Sequence, residues 1–547
     1  MTPDTPEQHA MLFPKLSDTQ ISILRSQGVV RATEAAEMLF DRETQRHGIF
    51  VVLSGGIEII GVANGQQATL SLLKPGEFTG ELTQLSGRRS LVSCKVSEPG
   101  EVLEIDRTAL RSCMQTDVAL GNMVLSAFVQ RRIFLIANAV GDAVLIGSAH
   151  SSDTLRLRSF LGRNGHPYTY IDVDRDPDIQ TVLDQFSIQV DEIPVLICRS
   201  EQVLRSPSNA EAAVCFDLNA GIDRTDVFDS IVVGAGPGGL AAAVYGASEG
   251  LNVLVVESDA PGGQAGSSSR IENYLGFPLG ISGQELADRA FVQAEKFGAK
   301  ISIARSVTGV ECIHPPYKLR LDDGKLLQGR TLVIATGSRY RRLGVVGADR
   351  FDGRGIYYGA TLLEAPMCKN EEVAIVGGGN SAGQAAVFLA DFAKHVHLVV
   401  RGSNLSSTMS KYLIARIEAS KQITLHTGTT IEALEGDVHL RRIHWRVSGN
   451  SLVECHEIEH LFMMAGADPN TAWLGSCVAL DDKNFVKTGA DVMDLWQSKR
   501  PPFPLETSVP GVFAIGDARA GSIKRVASAV GEGSMAIQFI HQVLATQ

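Results

Sequence analysis

No Cys-x-x-Cys pair occurs anywhere in these 547 residues. The eight cysteines, Cys94, Cys113, Cys198, Cys215, Cys312, Cys368, Cys455 and Cys477, are scattered. That spacing disfavours a zinc site and a disulfide framework alike, so buried reduced thiols are the expectation for most of them and no metal is expected. Long apolar runs are also missing: none reaches the roughly 18–20 residues of a membrane span. The segment MTPDTPEQHAMLFPKL has acid and proline where a secretory signal carries basic and apolar regions, which points to the cytoplasm. Positive charge is in deficit. Fifty Lys and Arg against 61 Asp and Glu leave a net charge of −11, which argues against nucleic acid as a general partner. What remains is an ordinary globular composition, 44% hydrophobic and 20% charged, at a length that suggests three or four domains.

Against those absences stands FDSIVVGAGPGGLAAAVYGASEGLNVLVVES, residues 228–258. An apolar β-branched run (Ile231, Val232, Val233) leads into Gly234-x-Gly236-x-x-Gly239; an alanine-rich helix follows, and a second apolar run closes on Glu257. This is a βαβ dinucleotide-binding fingerprint in its required context. Gly234 permits the tight turn, Gly236 lets the backbone approach a pyrophosphate, and Gly239 lets helix and strand pack closely. Glu257 is placed to accept from ribose hydroxyls. A second copy, VAIVGGGNSAGQAAVFLADFAKHVHLVVRG at 373–402, repeats the pattern with Gly377, Gly379 and Ala382, Asn380 and Ser381 opening its helix, and ends on Arg401. A carboxylate repels a 2′-phosphate and a guanidinium attracts one, so the second copy should hold NADPH and the first FAD. Two unlike dinucleotide sites in one chain imply hydride transfer.

Residues 1–105 read as short strands (IFVVLSGGIEIIGV, ATLSLLKPGEF, SLVSCKV, EVLEI) with glycine turns, an antiparallel β-roll. Within it GEFTGELTQLSGRRS, residues 76–90, resembles the phosphate cassette of cyclic-nucleotide-binding domains. The resemblance implies that Glu81 holds the ribose 2′-hydroxyl and that Arg88 or Arg89, beside Ser90, holds the cyclic phosphate of cAMP or cGMP. The cassette is shorter than that family's, and Leu91 stands where a small residue is common. Residues 106–139 have apolar positions at helical spacing, matching the helix that follows this roll in the family.

Residues 142–218 alternate strand and helix: AVLIG, DTLRLRSFLGRNG, YTYIDVD, DIQTVLDQF and EIPVLIC, the last entered through Ile193-Pro194. This order resembles the thioredoxin/glutaredoxin fold, in which that proline is usually cis. The resemblance puts a dithiol at the start of the first helix, but Ser151-Ser152-Asp153-Thr154 stand there. A hydroxyl forms no disulfide, so the module reads as a scaffold or docking unit, with Ser152 and Asp153 as helix caps and a linker over Asn219 to Asp226.

From Phe228 onward the chain resembles the low-molecular-weight thioredoxin reductases. By that resemblance GGQAGSSSRIENYLGFP (262–278) wraps the flavin, carrying Gln264 and Asn273, and LVIATGS (332–338) leaves the first flavin segment through Gly337. TSVPGVFAIGDAR (507–519) supplies Asp517 to the ribityl chain, and RVASAVGEGSMAI (525–537) opens a helix whose Val526 N–H faces the flavin pyrimidine. One departure matters for chemistry. The family's Y-C-A-T-C segment is here Tyr358-Gly359-Ala360-Thr361-Leu362, so both redox cysteines are replaced. Cys368, six residues beyond Leu362, is the nearest thiol, on an expected loop.

The expected architecture is multi-domain: an N-terminal antiparallel β-roll with its C-terminal helix (1–140), an α/β thioredoxin-like module without redox cysteines (141–220), a split FAD-binding domain (226–340 and 466–547) and an inserted NADPH-binding domain (341–465). The expected function is a homodimeric FAD-dependent NADPH oxidoreductase passing electrons to an acceptor outside the chain: a small redox protein, a quinone or dioxygen. Two alternatives stand beside it. One is a degenerate nucleotide or redox sensor acting through protein partners; the other is a disulfide reductase working through a single cysteine.

Overall fold

The computed structural model describes residues 5–42, 48–63, 66–81, 84, 90–138, 140, 143–149, 151–175, 192–198, 202–219, 226–361 and 363–546. They fall into two compact units. One comprises Met1–Ala149, Phe160–Ile222 and Lys300–Ala304; the other comprises His150–Ser159, Asp223–Ala299 and Arg305–Gln547.

In the first unit, the long strand Gly48–Ala63 pairs antiparallel with Gln66–Leu73 on one side and Ser93–Asp106 on the other, and Val29–Thr33 adds beyond the latter. Both faces of the long strand are buried. Phe50 and Val52 enter one core with Ile57, Ile59 and Val102, while Ile49 and Val51 face Leu103, Ile105, Val124 and Phe128. Two expected strands, SLVSCKV and EVLEI, are in fact one, Ser93–Asp106. Pro99 does not break it because the register slips there, with Gly56 opposite Glu98 and Ser54 opposite Glu101, leaving the proline outside the ladder. The single helix expected over 106–139 is two, Arg107–Thr116 and Val118–Ala137. Asp117 divides them: its carboxylate accepts from Leu120 N at 2.7 Å, and a side-chain cap starts a new helix. Among the described residues the second helix alone is long and apolar enough to cross a membrane. Its Leu120, Val124, Ala127, Phe128 and Leu135 line the core of the roll, and the buried Arg131 guanidinium donates to the carbonyls of Leu12, Phe78 and Gly80.

The remainder of this unit carries a sheet in the order Thr169–Asp172, Val144–Gly147, Val195–Cys198, Gln202–Arg205, parallel at the first step and antiparallel at the next two. The Ile193–Pro194 peptide is cis. The helix expected at 178–186 lies outside the described residues.

In the second unit, Val227–Val233 lies between Val253–Val256 and Leu326–Ile334, parallel to both; Val512–Ala514 joins beyond Leu326–Ile334. A second parallel sheet runs Ile356–Tyr357, His460–Met463, Glu372–Val376, His395–Val400, Ile423–Thr427. Two α/β halves thus share the unit, the second inserted between strands of the first.

The expectation of unpaired thiols is corrected at four positions. Cys198 bonds Cys215 and Cys312 bonds Cys477, with Cα atoms 6.4 and 5.9 Å apart. Partners 17 and 165 residues apart in sequence form no motif that spacing can reveal. At 0% and 2% exposure Cys198 and Cys215 staple the strand Val195–Cys198 to the helix Asn209–Cys215 rather than meet a substrate. Cys113 and Cys368 are buried thiols outside these bonds, Cys94 is buried too, and Cys455 is exposed.

Candidate functional site

The first fingerprint folds as its glycines require. Gly234 has φ +105°, and a Cβ there would stand 2.4 Å from the Ala335 carbonyl oxygen. A Cβ on Gly239 would stand 1.9 Å from Gly234 O, whereas at Gly236 nothing lies within 4 Å. The loop is therefore closed on its inner side and open at the N-terminus of helix Pro237–Ser248. No side chain caps that helix, and none caps Asn380–Leu389 or Val526–Leu544, although Asp18–Arg25, Arg107–Thr116, Val118–Ala137 and Gly283–Phe297 all have side-chain caps. Exposed N–H groups at the positive end of a helix suit an anion.

Other residues gather around this opening. Glu257 is buried and braces the loop, accepting from Ala235 N at 2.7 Å and from Asp259 N at 2.9 Å. Gly262 N donates to Ala235 O, and Gly263 approaches Gly236, closing the 262–264 turn over the fingerprint. Gln264 Nε2 donates to Ser338 O at 2.5 Å. Gly337 precedes that serine at φ +62°, and the Ser338 hydroxyl donates to Asp517 Oδ2 at 3.4 Å. Burial pushes the Asp517 carboxyl up, with Lys524 opposing; the lysine ammonium donates to the Asp517 carbonyl oxygen at 2.7 Å. Val526 is the first residue of the last helix, which crosses Pro237–Ser248 where a Cβ on Gly533 would meet Gly238 O at 2.4 Å. Asn273 lies exposed in the loop that follows, apart from these contacts.

The second fingerprint repeats the geometry. A Cβ on Gly377 would lie 2.6 Å from Met464 O, while Gly379 again has nothing within 4 Å. Asn380 Oδ1 accepts from Ser410 N at 2.8 Å, and Ser381 hydrogen-bonds the Tyr340 hydroxyl. Arg401 follows the strand His395–Val400, exposed and with no carboxylate paired to it among the described residues.

The segment expected to lack the dithiol has Gly359 half-buried, with nothing nearer to a Cβ there than a Thr361 methyl at 4.0 Å. Leu362 lies outside the described residues. Cys368 is not on a loop but in a 3-10 turn, Ala365–Cys368, fully buried in the core of the second half beside Val373 and Ala386. Burial, with Glu364 and Glu371, pushes its thiol up to about 12, so it carries no thiolate near neutrality.

In the roll, Glu81 is buried against a cavity also lined by Thr79, Leu70, Arg131 and Phe134. Its Oε2 pairs with Arg132 Nη1 at 3.4 Å and its Oε1 has no hydrogen-bond partner. The Ser90 hydroxyl is engaged with the Val92 backbone, and Arg88 and Arg89 lie outside the described residues. Arg132 was not legible as a site residue, since only the docking of its helix turns it toward Glu81.

A family model described as pyridine nucleotide-disulphide oxidoreductase matches residues 228–533, and a cyclic nucleotide-binding domain model matches 30–117. Thioredoxin reductase of Mycoplasmopsis pulmonis is 30% identical over 316 residues, 58% of this chain and 97% of that protein. Among solved structures, Lactococcus lactis thioredoxin reductase in its FR conformation superposes with a TM-score of 0.54 at 26% identity, over 58% of this chain and all of that one. T. acidophilum thioredoxin reductase gives 0.52 at 27%, over 58% of this chain and 98% of its own.

Proposed function

Because this chain belongs to the pyridine nucleotide-disulphide oxidoreductase family, we propose that it is a homodimeric FAD-dependent NADPH oxidoreductase that delivers electrons to an acceptor outside its own cysteines. FAD bound at the first fingerprint would supply the hydride acceptor and NADPH at the second the donor. The amides opening Pro237–Ser248 would hold the FAD pyrophosphate, Glu257 would fix the loop and its ribose, and Gln264, Gly337 and Asp517 would line the path to the ring, with Val526 N–H at its pyrimidine edge. Asn380, Ser381 and Arg401 would serve NADPH in the same way. The observation that carries the reading is the pair of open glycines, Gly236 and Gly379, each at a helix start that no side chain caps.

The acceptor reading follows from sulfur. The family segment holds Gly359, Cys368 is buried and Cys198–Cys215 is enclosed, so the family's redox segment offers no thiol relay; the half-buried Cys312–Cys477 bond and the exposed Cys455 lie on other segments of the chain. A small redox protein, a quinone or dioxygen fits that constraint. The roll would tune turnover through cAMP or cGMP at Glu81, which lines a mostly apolar cavity and whose Oε1 is buried without a hydrogen-bond partner.

Anaerobic NADPH should bleach the yellow protein, and artificial acceptors should restore its colour with turnover. NADPH should be preferred over NADH by about 5- to 150-fold, the worth of one charge-assisted contact of roughly 1–3 kcal/mol, and Arg401→Ala should abolish the preference. A flavin that stays oxidised under NADPH would overturn the proposal.

A further inference from the structure

Two short strands connect the inserted half to the flavin half. Ser338–Tyr340 leads in and Ala467–Pro469 leads out, and they pair antiparallel over three residues. Such a connection fixes where the insertion begins, but leaves its rotation to contacts made farther out.

One such contact joins a loop of the flavin half to a helix of the inserted half. Arg416, on the helix Lys411–Ala419, donates from Nη1 to both carboxylate oxygens of Glu272, at 3.0 and 2.8 Å. Both ends are firmly held. Glu272 directly follows Ile271, whose backbone exchanges hydrogen bonds with Ile281 at 2.7 and 3.0 Å, closing the neck of the loop 272–280. Arg270 Nε grips the Leu279 carbonyl across the same loop at 3.1 Å. At the other end, Leu413 and Ile417 of the arginine's helix share a core with Ala382 and Ala386 of the fingerprint helix Asn380–Leu389. Tyr412 lies beside the guanidinium, its ring centroid 5.7 Å from Arg416 Cζ. The ion pair therefore ties the loop that carries Asn273 to the helix layer that carries the second glycine fingerprint.

We infer that Glu272 and Arg416 are positioning residues that hold the nicotinamide half in one orientation against the flavin half, and so set the rate of hydride transfer without contributing to NADPH affinity. This rests on the NADPH-to-FAD reading above. With Gly359 in place of a cysteine the family's redox segment has no dithiol to carry away from the ring, and one fixed orientation serves every turnover.

The test is a charge swap in the full-length holoenzyme: Glu272→Arg, Arg416→Glu and the double reversal. Three readouts are taken: anaerobic stopped-flow reduction by NADPH, equilibrium binding of NADP+, and small-angle X-ray scattering. Each single reversal should slow flavin reduction by about three- to tenfold, the scale expected of a partly exposed ion pair turned repulsive. NADP+ affinity should stay within about twofold, since the pair is assigned no cofactor contact. The double reversal should recover much of the wild-type rate and scattering profile, because attraction across the contact is restored, while Arg270, whose Nε lies 3.9 Å from Glu272 Oε1, repels the new cation there. Single variants that reduce at the wild-type rate would overturn the inference, as would a double variant no faster than the singles. If NADPH fails to bleach even the wild type, the functional reading falls while scattering still judges the pair: superimposable profiles for all four proteins would refute it.

Discussion

Gly236 and Gly239 are three residues apart in one fingerprint, and the same substitution should have opposite consequences at the two. At Gly239 an added Cβ would meet Gly234 O at 1.9 Å, backbone against backbone, with no flexible side chain to yield. Relief requires the fingerprint loop to lift off its helix, and overpacking of that kind costs about 1–3 kcal/mol or more. Gly239→Ala should therefore lower apoprotein stability and lose FAD as a secondary effect. At Gly236 the backbone is extended (φ −68°, ψ −180°), which alanine adopts without strain, and the Cβ meets nothing within 4 Å. Gly236→Ala should leave apoprotein stability within about 0.5 kcal/mol of wild type, as for a substitution in open space. The new methyl would occupy the space at the helix N-terminus where the pyrophosphate is proposed to lie. Losing one or two charge-assisted N–H contacts at about 1.5–3 kcal/mol each predicts an FAD complex weaker by at least about tenfold and by up to roughly ten-thousandfold. Urea unfolding of apoprotein and FAD titration followed by flavin fluorescence quenching separate the two effects. A Gly236→Ala protein of normal stability that binds FAD as tightly as wild type would refute the placement of the phosphates.

Three further outcomes follow from the same geometry. Cys368→Ser should leave NADPH reduction of the flavin and turnover with artificial acceptors nearly unchanged, and wild-type protein should show negligible NADPH-dependent disulfide reduction with thioredoxin present; robust thioredoxin reduction lost in Cys368→Ser would contradict the burial argument. The nicotinamide half should lose stability in mild acid: burial, then the charges of His397 and His456, depress the half-buried His426 to about 4. The unfolded chain, with a histidine value near 6.5, binds the extra proton first, so stability is full above about pH 6.5 and falls as pH drops toward 4, by about 1–2 kcal/mol after allowance for solvent screening; thermal melts of wild type and His426→Gln should diverge in that window. Calorimetric titration of cAMP or cGMP should give heat that Glu81→Ala abolishes, and no heat at millimolar ligand would make the roll structural.

What the sequence determined by itself was local. Both fingerprints are contiguous, and glycine spacing between an apolar run and a helix specifies the turn whatever surrounds it. Glu257 against Arg401 and the absence of a cysteine at Gly359 likewise needed no neighbours, and the roll announced itself through alternation and glycine turns. Tertiary structure decided everything that depends on residues meeting across the chain. The fingerprint spacing already assigned Gly236 to a phosphate's approach and Gly239 to close packing, and the folded chain supplied the distances, open space at the first and a carbonyl at the second. Cys312 finds Cys477 across 165 residues, Arg132 finds Glu81 only when its helix docks on the roll, and Glu272 meets Arg416 only where the two α/β halves of one unit come together. Periodicity reports which face of an element is buried, but the partner of a charged or sulfur-bearing side chain is set by the packing of elements distant in sequence, and no local pattern encodes that distance.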